Sequence, residues 1–105
     1  MAIAQVFAWR PRPGRLADFM TIAQRADKII RGLGGNTRTL NAAAGAVPSA
    51  VLYVIETADW SAFASFQNKM AADKAWQALI TEVNATREPT SDLVSSTLYS
   101  EIALG

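Results

Sequence analysis

Alternating positions and positions spaced three and four apart divide the chain into four strand-like and two helix-like stretches. Residues 2–10 alternate loosely and carry Ile3, Val6, Phe7 and Trp9, a strand pattern rich in β-branched and aromatic side chains. Pro11-Arg12-Pro13-Gly14 stops it, because proline offers no ladder donor and glycine permits a sharp turn. From Arg15 to about Leu33, the residues Leu16, Phe19, Ala23, Ala26, Ile30 and Leu33 recur at helical spacing and predict one buried face. Gly14 is expected at the N-cap, Asp18 suits the positive end, and Gly32, Gly34 and Gly35 end the helix.

A second strand is expected from Asn36 to about Ala44, and the strongest one from Ala50 to Thr57, around Val51-Leu52-Tyr53-Val54-Ile55. Gly45-Ala46-Val47-Pro48-Ser49 between them has hairpin length, so the two pair antiparallel. Asp59 or Ser61 caps a helix with Phe63, Phe66 and Met70 on one stripe. The stripe changes phase near Ala71-Ala72-Asp73, where Trp76, Leu79, Ile80 and Val83 begin a new one. A break at Asp73, itself a capping residue, accounts for this better than one straight helix. Pro89 closes the segment, and Leu93 to about Leu104 reads as the last strand.

The order β-α-β-β-α-β predicts an α+β, ferredoxin-like fold: a four-stranded antiparallel sheet with two helices on one face. If Arg38 pairs near Glu56, one face holds Leu40, Ala42, Leu52 and Val54, and the other Thr37, Thr39, Asn41, Val51, Tyr53 and Ile55. In the first strand Ala4, Val6 and Ala8 oppose Ile3, Gln5, Phe7 and Trp9. In the last, Val94, Leu98 and Ile102 oppose Leu93, Thr97, Tyr99 and Glu101. Two helices cover one face, and neither face carries the charge of a solvated sheet. Large uncovered apolar patches are rare on monomers. The expected partner is therefore a second copy of the chain, a homodimer through the sheet face.

Composition narrows the chemistry. At 105 residues the chain suits a single domain over 1–105. Half of its residues are hydrophobic and 18% charged, too apolar for a disordered chain, yet no run reaches the roughly 20 apolar residues of a membrane span. Without cysteine there is no disulfide, thiolate or zinc–thiolate site, and without histidine no Ser–His relay, so Ser95 and Ser96 have no base. No metal-ligand spacing appears, and neither metal nor cofactor is expected. The start Met1-Ala2-Ile3-Ala4-Gln5 lacks a basic signal-peptide n-region, so a cytoplasmic location is expected, with no membrane partner.

Charge is uneven: residues 1–38 carry a net +5 and the remainder −4. Arg25, Lys28 and Arg31 recur at helical spacing and read as a solvated helix face, so no nucleic-acid partner is expected. The ribonucleoprotein signature of RNA-binding proteins with this topology is also missing. Arg10, Arg12 and Arg15 can hold an anion, but without a glycine-rich cradle a solvated loop is the commoner outcome. Glu56 with Arg38 reads as a cross-strand ion pair, and Asp59 and Asp73 as helix caps.

The chain resembles the dimeric α/β-barrel superfamily. The resemblance rests on Pro13-Gly14 before a helix with Leu16 and Phe19, on Gly45 in the hairpin, and on Tyr53-Val54-Ile55-Glu56 leading into Asp59-Trp60-Ser61-Ala62-Phe63. Ala72-Asp73-Lys74-Ala75-Trp76-Gln77-Ala78-Leu79 is similar to the second part of a broken helix in that group. It is most similar to uncharacterised, stress-responsive-barrel or antibiotic-biosynthesis-monooxygenase-like members. The resemblance implies the dimeric barrel, and a fold does not choose a chemistry. Histidine-dependent haem members fit poorly with a chain that has no histidine.

Three functions follow as expectations. The first is a homodimer binding a small hydrophobic or aromatic molecule in a pocket walled by the sheet and the broken helix. The second is a cofactor-independent monooxygenase or isomerase acting on a phenolic or enolisable substrate. The third is a non-catalytic dimerisation module. The candidate pocket residues are Trp9, Asn41, Tyr53, Trp60, Trp76 and Tyr99. Indoles there stack on a ligand or pack in the core, and Tyr53 with Asn41 either orients a carbonyl or phenol or forms a cross-strand pair. Asn68 offers a similar polar type, and no residue pattern specifies a catalytic group.

Overall fold

The computed structural model describes residues 1–45 and 49–105; the middle of the expected hairpin turn, Ala46-Val47-Pro48, lies outside the described residues. The elements follow the expected order, with several of their ends set by local chemistry. Strand β1 spans Ile3–Pro11 and helix α1 spans Leu16–Gly32. Arg15, not Gly14, takes the N-cap position; Gly14 precedes it with φ of 75°, and the Arg15 side chain bonds Asp18 at 2.9 Å. At the other end Gly34 turns at φ of 98°, and the Gly35 amide donates to the Ile30 carbonyl at 3.0 Å.

Strands β2 (Asn36–Asn41) and β3 (Val51–Thr57) pair antiparallel, and β2 ends three residues earlier than the pattern suggests. Helix α2 (Trp60–Ala72) is capped by Asp59, which accepts from the Ala62 amide at 2.7 Å, rather than by Ser61. The phase break is real. Asp73 leaves the helix with ψ of 120° and caps α3 (Lys74–Asn84) by accepting from the Trp76 amide at 2.8 Å. The second helix is thus two helices, and three lie on the sheet. Strand β4 spans Ser91–Ser100, beginning and ending earlier than expected.

The strand order is β2-β3-β1-β4, all antiparallel, as in ferredoxin-like folds. Arg38 faces Val54 and Glu56 faces Asn36, a register two residues from the expected one. An even slip preserves which residues share a face but separates Arg38 from Glu56, which form no ion pair. In β4 the register shifts once: Ala8 pairs with Ser95 and Trp9 with Leu93, leaving Val94 unpaired. Leu93 therefore shares a face with Ser96 and Leu98, not with Thr97 and Tyr99 as simple alternation predicts.

Ile30 of α1, Ile55 of β3 and Phe66 of α2 close on one another, with Phe7, Leu33, Met70 and Trp76 packed around them. This core puts the helices on the face of Gln5, Phe7, Tyr53 and Ile55. The opposite face presents Ala4, Val6, Ala8, Leu40, Leu52, Val54 and Tyr99, with Arg10, Arg38 and Glu56 among them. The protomer is a slab of 45 × 36 × 17 Å with a Cα radius of gyration of 14.6 Å. A compact chain of this length has about 13 Å.

The junction leaves no spare volume at Gly35, where an added Cβ meets Ile30 Cγ2 at 2.7 Å, the Ile30 carbonyl oxygen at 3.0 Å and Phe66 Cε2 at 3.3 Å. Gly32 has nothing within 4 Å of its would-be Cβ. Chemical denaturation should find Gly35→Ala destabilised by about 1–3 kcal/mol through overpacking. Gly32→Ala should gain about 0.5–1 kcal/mol from reduced backbone entropy. Equal effects would contradict the close approach.

Candidate functional site

Between the helix-covered face of the sheet and the three helices lies a cavity of about 470 Å³. Phe7 and Trp9 of β1 with Val51, Tyr53 and Ile55 of β3 form its floor. Ile22, Ala23 and Ala26 of α1 make one wall; Met70 of α2 and Trp76, Ile80 and Val83 of α3 make another. Small alanines on α1 keep the space open, and the break at Asp73 re-aims the chain so that Trp76 faces inward. The polar lining residues are Gln5, Thr39, Gln67, Thr90 and Ser91, with Tyr53; among the described residues no Asp, Glu, Lys or Arg lines the cavity. A second depression of about 550 Å³, at the end of β3 beside α2, is a surface groove lined by Leu33 and Phe66 together with Glu56 and Lys69.

Of the six expected pocket residues, Trp9, Tyr53 and Trp76 come together in this lining. Trp9 also packs on Phe19, ring centroids 6.3 Å apart. The other three do not. Trp60 opens α2, is 52% exposed and sits edge-on to Phe63 at 5.9 Å. Asn41 faces Val51 but ends the outer strand β2, exposed and outside the lining. Tyr99 pairs with Ala4 and so points to the other side of the sheet, 54% exposed. Asn68 is exposed on α2. Helical phase and strand parity, not residue type, decide these placements.

Polar residues beyond the six candidates also shape the site. Tyr53 donates to Asp27 Oδ1 at 2.7 Å, Thr37 donates to the same oxygen at 2.7 Å, and Arg31 Nε bonds Thr37 Oγ1 at 2.8 Å and Asp27 Oδ2 at 2.9 Å. Burial pushes the Tyr53 phenol up, and the neighbouring Asp27 carboxylate raises it further, so it stays protonated. Burial also pushes the Asp27 carboxyl up, but donors from Thr37, Tyr53 and Arg31 outweigh this and hold it below its ordinary value. Apart from this cluster, Gln67 Nε2 of α2 donates to Gln5 Oε1 of β1 at 3.0 Å, both residues belonging to the lining. Gln5 could have been found as the polar residue interrupting an inward-facing apolar alternation; Gln67 and Asp27 carry no such mark.

The loop arginines are engaged elsewhere. Arg12 bonds both oxygens of Asp92, and Arg15 bonds Asp18. On the basic helix face Arg25 grips both oxygens of Glu82 on α3, and Arg31 belongs to the Asp27 cluster. No described helix is long and apolar enough to cross a membrane. Among the described residues no group of three or more acidic side chains is placed to hold a metal ion.

No family model matches the chain, and no curated protein matches it. Solved structures do. An uncharacterised NIPSNAP domain protein from Burkholderia xenovorans is 20% identical with a TM-score of 0.70, over 100% of this chain and 98% of that one. A NIPSNAP family protein from Agrobacterium tumefaciens is 22% identical with a TM-score of 0.66, over 94% and 90%. SnoaB, a cofactor-independent oxygenase from Streptomyces nogalater, is 13% identical with a TM-score of 0.66, over 97% and 94%. At these identities the likeness is one of fold: the chain shares the ferredoxin-like architecture of these proteins.

The Asp27 cluster makes an acid-dependent contribution to stability. A carboxyl held below its unfolded value stabilises the fold above that value and loses this as pH falls through the folded one. Asp27→Ala should cost about 1–3 kcal/mol in urea unfolding at neutral pH, because two hydroxyls lose their charged acceptor. The difference from wild type should shrink as pH drops below about 4. A pH-independent difference would contradict this account.

Proposed function

We propose that the protein is a homodimer, closed through the open face of its sheet, that binds a small uncharged hydrophobic or aromatic molecule in the cavity of each protomer. The observation that carries the binding half is the lining: about 470 Å³ walled by Phe7, Trp9, Tyr53 and Trp76, with no ionised side chain. A charged ligand would lose its hydration there without a counter-charge. The dimer half is supported by the apolar centre of the open face and by a protomer that is flat for its length.

A second reading, a cofactor-independent oxygenase or isomerase for phenolic or enolisable substrates, takes its support from the likeness to SnoaB. Such chemistry begins by removing a substrate proton. No carboxylate or lysine lines the cavity, and the Tyr53 phenol stays protonated. The geometry supports binding better.

Equilibrium binding of naphthalene should saturate near one molecule per protomer. Ala23→Phe, which fills the cavity from α1, should remove that binding while leaving the far-ultraviolet circular dichroism unchanged; retained binding would place the ligand elsewhere. Light scattering at micromolar concentration should give twice the 11.3 kDa chain mass. Leu52→Lys, between Ala8 and Leu40 on the open face, should give the single mass. A monomeric wild type would overturn the dimer. No oxygen uptake is expected with an anthrone; turnover lowered by Tyr53→Phe would favour catalysis.

A further inference from the structure

The paired amides of Gln5 and Gln67 are the polar feature of the cavity that the fold does not require. Gln5 sits on the inward face of β1, flanked in register by Ile55 and Leu98, and Gln67 reaches it from α2. As a strut between strand and helix, one neutral hydrogen bond contributes little, and two apolar side chains of the same size would do as well. What the pair adds is a surface. Its single bond uses Gln67 Nε2 and Gln5 Oε1, and among the described residues Gln5 Nε2 and Gln67 Oε1 have no partner. Among the described residues no shut-in side-chain nitrogen or oxygen lacks a partner, so these two atoms are accessible, on side chains that both line the cavity. Turning both amides over leaves the same inventory, one NH₂ and one carbonyl oxygen side by side.

We infer that Gln5 and Gln67 recognise an amide: the ligand class is a flat, neutral lactam or primary carboxamide. This rests on the binding reading above and deepens it. A lactam carries its N–H and carbonyl on adjacent atoms of one edge, which meets an adjacent acceptor and donor together. A hydroxy-ketone with neighbouring groups satisfies its own donor internally and gains less. Carboxylates and amines are excluded because no charged residue lines the cavity. The apolar walls take the rest of the molecule, and the two amides fix which edge enters.

Three probes test this by equilibrium dialysis: naphthalene, 2-quinolone, and 1-methyl-2-quinolone, whose N–H is blocked. Wild-type protein should bind 2-quinolone roughly tenfold more tightly than its N-methyl derivative, the contribution of one to two well-made hydrogen bonds. In Gln5→Met/Gln67→Met that ratio should fall to about one, since the donors are gone. Naphthalene should bind that variant at least as well as wild type, which shows that the cavity persists. If the variant does not fold, wild-type protein alone decides through nuclear magnetic resonance. The Gln5 and Gln67 side-chain NH₂ resonances should move with 2-quinolone and stay in place with naphthalene. Naphthalene binding without a preference for 2-quinolone, or a preference that survives in the variant, overturns the amide inference alone. Binding of none of the probes overturns it together with the cavity reading.

Discussion

The helix layer is packed on the sheet through the buried contact of Ile30, Ile55 and Phe66, and much of the architecture follows from where that contact sits. Dense packing there brings α1, α2 and β3 into one cluster, while Gly35 admits the start of β2 without a clash. Over the cavity floor two of the α1 wall side chains, Ala23 and Ala26, are small, and the layers stand apart. A cavity beside a tight core costs stability, because its lining side chains lack contacts on one side. The chain retains that cost over Phe7, Trp9, Tyr53 and Trp76, where larger α1 residues would remove it.

Polar groups in this region are held rather than free to react. The Asp27 carboxylate is shared by Thr37, Tyr53 and Arg31, and it keeps the one phenol of the cavity as a neutral donor already committed to a partner. The arginines that give the first third of the chain its positive charge are largely spent on carboxylates: Asp92, Asp18, Glu82 and Asp27. These are mostly exposed pairs and add little stability individually. Their effect is to leave the cavity as an uncharged interior beside a polar shell.

Element order was legible because each element has its own period, and even the break at Asp73 showed as a change of helical phase. What alternation could not convey is backbone irregularity. The hairpin between β2 and β3 lacks a turn sequence that pins register, so Arg38 and Glu56 end up two positions apart. The shift at Val94 has no residue signature and inverts the parity of the strand before it. For the site, aromatic character identified Trp9, Tyr53 and Trp76 because they also occupy inward positions. Trp60 and Tyr99 share that character and lie outside. Gln67 and Asp27 acquire their roles only through partners 62 and 26 residues away in sequence, at Gln5 and Tyr53.

The unpaired Val94 has a consequence for how β4 can change over time. Because one extra residue separates its two halves, the strand reads its alternation in two frames, one before and one after that point. Substitutions in 91–93 and in 95–100 are therefore selected against different surroundings although they belong to one strand. Loss of the single codon for Val94 would merge the two frames into one: Leu93 and Ser95 would become neighbours on opposite sides of the sheet, and both flanks would keep the compartments they have.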